Sequence, residues 1–153
     1  MSEQLRIILI IIVSVSIFGL LVFVFVKNYI KNKLNYYLNV KNNINYKLTC
    51  HCNKIEIDVK LVDGLNNLYR CNCSICKRKG AITAVIPKNN LKILKGENQL
   101  KFYQFNTNVA KHFFCKICGI NTHNQRRSDP NTFGINVGCL DGISPKDLFG
   151  LNV

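Results

Sequence analysis

The chain has 153 residues, 48% of them hydrophobic, and a formal net charge of +13 at pH 7. This length accommodates one domain and a smaller appendage rather than several domains. The positive charge is typical of a solvated surface held near anionic lipid. Nucleic acid is the less favoured partner, because the sequence has no run of Lys and Arg with interleaved aromatic residues.

An uncharged apolar run at residues 7–26, IILIIIVSVSIFGLLVFVFV, predicts a transmembrane helix. About 20 residues at 1.5 Å each cross a hydrocarbon core of ~30 Å. The run is longer than the ~7–15 residues of a signal-peptide core, and no small-x-small cleavage site follows it. Every face of such a helix is apolar, which argues against an amphipathic core helix.

The charges that flank this run predict its orientation. The tail at residues 1–6 holds only Glu3, Arg6 and the terminal amine, whereas four lysines follow the run: Lys27, Lys31, Lys33 and Lys41. Basic residues stay on the cytoplasmic side of a membrane. We therefore predict a single-pass membrane protein with its N-terminus outside and the rest of the chain in the cytosol.

Residues 27–45 predict a juxtamembrane linker, and residues 46–153 predict a mainly β zinc-binding domain. Four apolar residues of the linker have helical spacing, so we expect the membrane helix to continue for a few turns: Ile30, Leu34, Tyr37 and Leu38. Short apolar or alternating segments separated by turn residues predict strands in the domain: 54–62, 81–87, 91–96, 100–105, 109–115 and 134–140. A helical turn is expected at 144–150, capped by Ser144 and stopped by Gly150.

All eight cysteines lie in this predicted domain: Cys50, Cys52, Cys71, Cys73, Cys76, Cys115, Cys118 and Cys139. In a reducing compartment such clusters are more often metal sites than disulfides, and their spacing predicts zinc. Alternate residues of a strand share one side, so Cys50 and Cys52 can face the same metal. Cys115-x-x-Cys118 followed by Gly119 is typical of a tight turn of the zinc-knuckle kind.

Two such pairs would close a four-cysteine site of the structural type and leave three cysteines for a second site. That second site, in the loop of Cys71, Cys73 and Cys76, would have the open fourth position of a reactive zinc. Spacing alone leaves other partitions open. The first pair could join the middle cluster instead, and Cys139, His112 or His123 could supply a fourth ligand.

Four segments, CHCNKIEIDV, CNCSICKRKG, FFCKICG and INVGCLD, together resemble the family of glutathione-dependent formaldehyde-activating enzymes and centromere protein V. The resemblance covers about residues 46–150, without the membrane segment. It implies a β-rich fold of the β-tent type and two zinc ions per chain, and Cys139 is not a ligand in the family. The implied ligands are Cys50, Cys52, Cys115 and Cys118 for the structural zinc, and Cys71, Cys73 and Cys76 for the second, catalytic zinc. The sequence departs from the family at Ile120, where a small hydroxylated residue is common.

The resemblance also implies an activity, the addition of glutathione to formaldehyde. The product would be S-(hydroxymethyl)glutathione, formally a carbon–sulfur lyase reaction in reverse. We expect glutathione or another small thiol, and formaldehyde or another small aldehyde, as the substrates. The alternative function is a non-catalytic zinc scaffold, or a binding module for nucleic acid or chromatin as in centromere protein V.

Several residues near the cysteines are candidates for further roles. Lys77, Arg78 and Lys79 could contact the carboxylates of glutathione, although a solvated basic loop is the simpler interpretation. The candidate proton carriers are His51, His112 and His123, for each of which a packing or surface role is commoner. Asp141 favours a turn rather than a catalytic base.

Overall fold

The structure, a computed structural model, describes residues 3–148 and divides into two compact units, Met1–Leu38 and Asn39–Val153. Residues 1–2 of the predicted tail and residues 149–153 of the predicted domain lie outside the described residues. Gly150, the predicted stop of the last helical turn, is among them. The turn itself is present as a short 3-10 helix at Pro145–Leu148.

The first unit consists of a long helix, α1 (Glu3–Asn42), whose last turn belongs to the second unit. Within the described residues, α1 is the one helix long and apolar enough to cross a membrane, by length and composition alone. The crossing itself therefore stays a prediction. The expected continuation of the helix is observed, because α1 runs without a break through most of the predicted linker to Asn42.

The second unit is mainly β, as the sequence predicts. Its elements in chain order are β1 (Asn45–Thr49), β2 (Glu56–Lys60), β3 (Leu68–Tyr69), α2 (Ser74–Lys79), β4 (Thr83–Pro87), β5 (Leu91–Lys95), β6 (Leu100–Tyr103), β7 (Lys111–Cys115), β8 (Asn121–Gln125) and β9 (Thr132–Asn136). They form a three-stranded sheet of order β1-β2-β5 and a six-stranded sheet of order β3-β4-β9-β8-β7-β6. All strand pairs are antiparallel.

Apolar residues from both sheets form one buried cluster. In β2 the alternation predicted for 54–62 places Ile57 and Val59 inside and the lysine and carboxylate side chains outside. Ile86 of β4 and Ile135 of β9 belong to the same cluster and are fully buried. Burial of each such side chain stabilises the fold by about 1.5–3 kcal/mol.

Some elements differ from the sequence predictions. The strand expected at 134–140 ends at Asn136, whose side-chain oxygen accepts from the Gly138 backbone N–H and turns the chain into a 3-10 helix at Val137–Cys139. The predicted three-cysteine loop runs into helix α2, which ends at Gly80 in the left-handed region, φ 62°. Strands β1, β3 and β8 were not predicted; β8, NTHNQ, has no apolar alternation to indicate a strand.

Candidate functional site

Four thiols converge at one point of the domain. The sulfur atoms of Cys50, Cys52, Cys115 and Cys118 lie within 4.8 Å of one another. The Sγ of Cys52 is 3.6 Å from that of Cys50 and 3.7 Å from that of Cys115. A tetrahedral zinc with Zn–S bonds of about 2.3 Å separates its sulfur ligands by about 3.8 Å, whereas a disulfide needs about 2 Å. The spacing fits a metal and excludes a disulfide.

Two turns bring these thiols together. Gly119 donates its backbone N–H to the Cys115 carbonyl at 2.8 Å and has φ 74°, so the tight turn predicted after Cys118 is present. The predicted strand geometry for Cys50 and Cys52 is wrong. They lie in a turn closed by a 2.9 Å hydrogen bond from the Asn53 N–H to the Cys50 carbonyl, because Asn53 takes up the left-handed conformation, φ 55°.

A second cluster is formed by Cys71, Cys73 and Cys76, whose sulfur atoms also lie within 4.8 Å of one another. Cys73 directly precedes α2, and Cys76 lies within its first turn. The Lys77 N–H donates to the Cys73 carbonyl at 2.9 Å. This local helical geometry folds the three thiols towards one another without a partner segment from elsewhere in the chain.

The three-cysteine cluster opens into a cavity of about 400 Å³, within the range of small-molecule sites. None of the other four clustered cysteines lines this cavity. Its remaining walls come from β3, β4, β7, β8, the loop before β7 and the turn after β8. The lining residues outside the cysteine cluster are Tyr69, Thr83, Phe105, Asn106, Thr107, Ala110, His112, Asn124, Gln125, Arg126, Arg127 and Ser128.

The pKa values of Cys73 and Cys76, two thiols of the three-cysteine cluster, are shifted in opposite directions. Burial raises the pKa of Cys73, but the Cys76 backbone N–H and the neighbouring thiols outweigh burial, so this pKa lies below its ordinary value. Burial, followed by the thiols of Cys73 and Cys71, raises the pKa of Cys76 to about 12.

A polar network borders the cavity. The Lys79 Nζ lies 3.1 Å from the His112 Nδ1 and 3.4 Å from the Asn124 Oδ1. The same two atoms of His112 and Asn124 are 2.9 Å apart. Burial lowers the pKa of both Lys79 and His112, and the charge of the lysine lowers that of the histidine further. His112 is therefore neutral at neutral pH.

The other candidates from the sequence lie elsewhere. Lys77 and Arg78 are exposed and do not line the cavity, and Arg78 donates to the Ser74 carbonyl of its own helix at 2.7 Å. Their contact with glutathione stays a prediction. His51 is exposed. His123 is stacked on Phe113 at 4.5 Å, and burial lowers its pKa to about 4.

Two candidates with expected structural roles lie away from the cavity. Cys139 is buried and directs its Sγ to the Asn121 carbonyl at 3.5 Å. Asp141 accepts a 2.6 Å hydrogen bond from Thr49 and lies in a turn.

The basic wall of the cavity, formed by Arg126 and Arg127, was not predicted from the sequence. Arg126 and Arg127 follow β8 directly, and both line the cavity. Their adjacency is visible in the sequence, but the preceding strand is not, so nothing indicated where they would lie. Tyr69 and Asn124 were missed for the same reason, since β3 is two residues long and β8 is polar throughout.

Fold and site together define a mainly β protein with a closed four-thiol cluster and an open three-thiol cluster. The family model of the glutathione-dependent formaldehyde-activating enzyme matches residues 45–149. The chain belongs to this family.

Several proteins are similar to the chain. Two of them carry the same enzyme name provisionally. The Emericella nidulans protein is 28% identical over 81 residues, 50% of this chain and 41% of the relative. The Phaeosphaeria nodorum protein is 31% identical over 78 residues, 48% of this chain and 40% of the relative. The chain thus spans about two fifths of the length of these relatives. A crystal structure of a Rhodobacter sphaeroides protein is 48% identical, with a TM-score of 0.66, and the match covers 69% of this chain and 96% of that one.

Proposed function

We propose that this chain adds the thiol of glutathione to formaldehyde and forms S-(hydroxymethyl)glutathione, a carbon–sulfur lyase reaction in reverse. The observation that supports this most directly is that the two cysteine clusters differ in their access to a cavity. Cys71, Cys73 and Cys76 line a cavity, whereas none of the four other clustered cysteines does. Structural zinc sites are closed by four protein ligands, and catalytic sites keep one position for substrate.

The donor chemistry of both clusters fits zinc. Thiolates are soft ligands that zinc prefers, and the sulfur spacing in the four-cysteine cluster is that of a tetrahedral site. That cluster, Cys50, Cys52, Cys115 and Cys118, would hold the structural ion. Cys71, Cys73 and Cys76 would hold the second ion. Zinc bound there would lower the pKa of a coordinated substrate thiol, so that this thiol is deprotonated at neutral pH.

The proposed reaction makes one carbon–sulfur bond and moves one proton. The thiolate electron pair goes to the carbonyl carbon, the π electrons go to the oxygen, and the oxygen takes the proton that the thiol lost on forming the thiolate. His112 is the one histidine that lines the cavity among residues 3–148. Its Nδ1 can accept from the Lys79 ammonium or donate to the Asn124 Oδ1, so the ring has a partner in either tautomer and can pass this proton on.

The cavity walls would hold the reactants together. Phe105 stacks on His112 with ring centroids 5.8 Å apart and covers one side of the site. Most of the gain from such a site comes from proximity, because thiol and aldehyde meet without a bimolecular encounter.

We also propose that residues 7–26 anchor the domain at the cytosolic face of a membrane, with the N-terminus outside. The described apolar side chains of this segment are exposed in the structure. The four lysines that follow it, against Glu3 and Arg6 before it, support this orientation.

The enzyme proposal is tested on the full chain purified in detergent. Zinc is quantified, and the rate of the glutathione–formaldehyde reaction is compared with the rate in buffer. We expect about two zinc ions per chain and a rate above that of buffer. Cys73→Ser should lose one zinc and the added rate. Cys139→Ser, in neither cluster, is the matched control and should keep both. Two zinc ions with the buffer rate would refute the enzyme and leave a zinc scaffold.

A further inference from the structure

The turn after β8 presents two arginines to the cavity that holds the three thiols. Arg126 is partly buried; its guanidinium donates to the Thr132 Oγ1 at 3.3 Å and lies 6.0 Å from the ring centroid of Tyr69. Arg127 is exposed at the mouth. The turn is fixed by a 3.3 Å backbone hydrogen bond from Arg126 to Thr132 and by one of 3.1 Å from Thr132 to Asp129.

These arginines have no carboxylate partner within residues 3–148. The ion pairs of that part of the chain join Glu56 to Lys47 and Lys95, all in the three-stranded sheet. Among the residues that the structure describes, no Asp or Glu lines the cavity. Asp129 is the acidic residue of the same turn, and its carboxylate accepts a 3.0 Å hydrogen bond from the Asn131 backbone N–H. The cavity is therefore lined both by three thiols and by two arginines, its basic wall, that have no carboxylate partner among the described residues.

We propose that Arg126 and Arg127 bind the carboxylates of the thiol substrate, so that the cavity selects an acidic thiol over a neutral one. This inference rests on the proposed function and names the residues that would select its substrate. A guanidinium group matches a carboxylate with two parallel hydrogen bonds. Glutathione has a carboxylate at each end and its thiol between them, so its thiol can lie at the cysteines while its carboxylates reach the basic wall.

The two arginines contribute unequally. Arg126 is held in place by Thr132 and Tyr69 before a ligand arrives, so little side-chain entropy is lost when it binds a carboxylate. Arg127 is exposed, and solvent weakens its interaction with a carboxylate. We therefore expect the larger loss of affinity from removing Arg126. Lys77 and Arg78, the contacts predicted from the sequence, do not line the cavity.

The test measures binding of S-methylglutathione, which cannot react, to the full chain in detergent by calorimetry. Arg126→Gln and Arg127→Gln each remove one guanidinium. Lys92→Gln removes an equal charge from the exposed surface of β5 and is the matched control. Arg78→Gln tests the rival contact. The diethyl ester of S-methylglutathione, which lacks both carboxylates, is the matched probe.

We expect Arg126→Gln to raise the Kd for S-methylglutathione about tenfold or more, and Arg127→Gln to raise it a few-fold. Lys92→Gln and Arg78→Gln should leave it unchanged, and the ester should bind all five proteins with the same affinity. Unchanged Kd values in both cavity variants would overturn the inference. So would an equal loss for the ester, a loss confined to Arg78→Gln, or no binding by the wild type.

Kinetics in the same variants separate this inference from the proposed reaction. If both hold, the arginine variants raise KM for glutathione and keep most of kcat. A wild type that binds S-methylglutathione through its carboxylates but reacts at the buffer rate refutes the reaction and supports the carboxylate site. A wild type that reacts, with KM unchanged in both variants, refutes the carboxylate site and leaves the reaction standing.

Discussion

Replacing Cys118 with serine should cost far more stability than replacing Cys73, because the two clusters join the chain over different distances. The four-cysteine cluster joins Cys52 to Cys115, 63 positions apart. If the metal acts as a cross-link, closing a loop of this length restricts the unfolded chain and stabilises the fold by about 4 kcal/mol. The three-cysteine cluster, from Cys71 to Cys76, closes a loop of about six residues, for which the same relation gives about 2 kcal/mol.

These values are large against the total stability of a small domain, about 5–15 kcal/mol. At about 4–8 °C per kcal/mol for a domain near 100 residues, Cys118→Ser should lower Tm by about 15 °C or more. Cys73→Ser should lower it by roughly half as much or less. Cys139→Ser is the control for replacing a buried thiol outside both clusters, and its effect is subtracted.

The assay is thermal unfolding of the full chain in detergent, followed by near-ultraviolet circular dichroism of the tyrosines. The far-ultraviolet signal is unsuitable, because α1 contributes strongly to it and is expected to remain helical in detergent. Zinc is measured in the same samples; Cys118→Ser and Cys73→Ser should each retain about one ion, and Cys139→Ser should retain both. Equal losses of Tm from Cys118→Ser and Cys73→Ser, each with one zinc lost, would refute the assignment of structural and open sites.

Three further predictions concern a buried histidine, a glycine in the left-handed region and the membrane topology. Burial lowers the pKa of His123 to about 4 in the folded state; the unfolded chain binds a proton from about pH 6.5 downwards, so stability should fall by about 3 kcal/mol between pH 6.5 and 4. His123→Phe should remove this part of the pH dependence in denaturant titrations, and an unchanged slope would contradict it. Gly96 has φ +77°, and an added Cβ would lie 1.9 Å from the Lys54 carbonyl oxygen, so Gly96→Ala should destabilise by several kcal/mol. Gly142→Ala, at φ +80° with open space, is its control and should cost about 1 kcal/mol; equal costs would show that the close contact is relieved. In intact cells, external protease should remove an N-terminal tag and spare a C-terminal one, and the reverse pattern would invert the proposed topology.

Local patterns in the sequence were enough to predict several elements of the fold. The apolar run of residues 7–26 and the helical spacing beyond it indicate one long helix, which the structure shows as α1. Alternation over 54–62 indicates the strand that became β2, since one of its faces is buried and the other exposed. Strand β8 could not be found this way. It lies within the sheet with polar residues such as Thr122 and His123 buried, and hydrogen bonds and ring stacking replace apolar contacts there.

The cysteine spacings by themselves indicated two metal clusters and the tight turn at Gly119, because those features depend on neighbouring residues. Which cysteines share a cluster was open in the spacings, since it depends on the approach of segments 63 positions apart. Only the tertiary structure brings the Cys50 turn to the Cys115 turn and leaves the three-cysteine cluster facing a cavity. The same applies to Arg126 and Arg127, which line the same cavity as the three thiols because β8 lies between β7 and β9 in the sheet. Strand pairing decides which residues line this cavity, and no short sequence pattern encodes that pairing. The position of the basic wall therefore could not be predicted from the sequence.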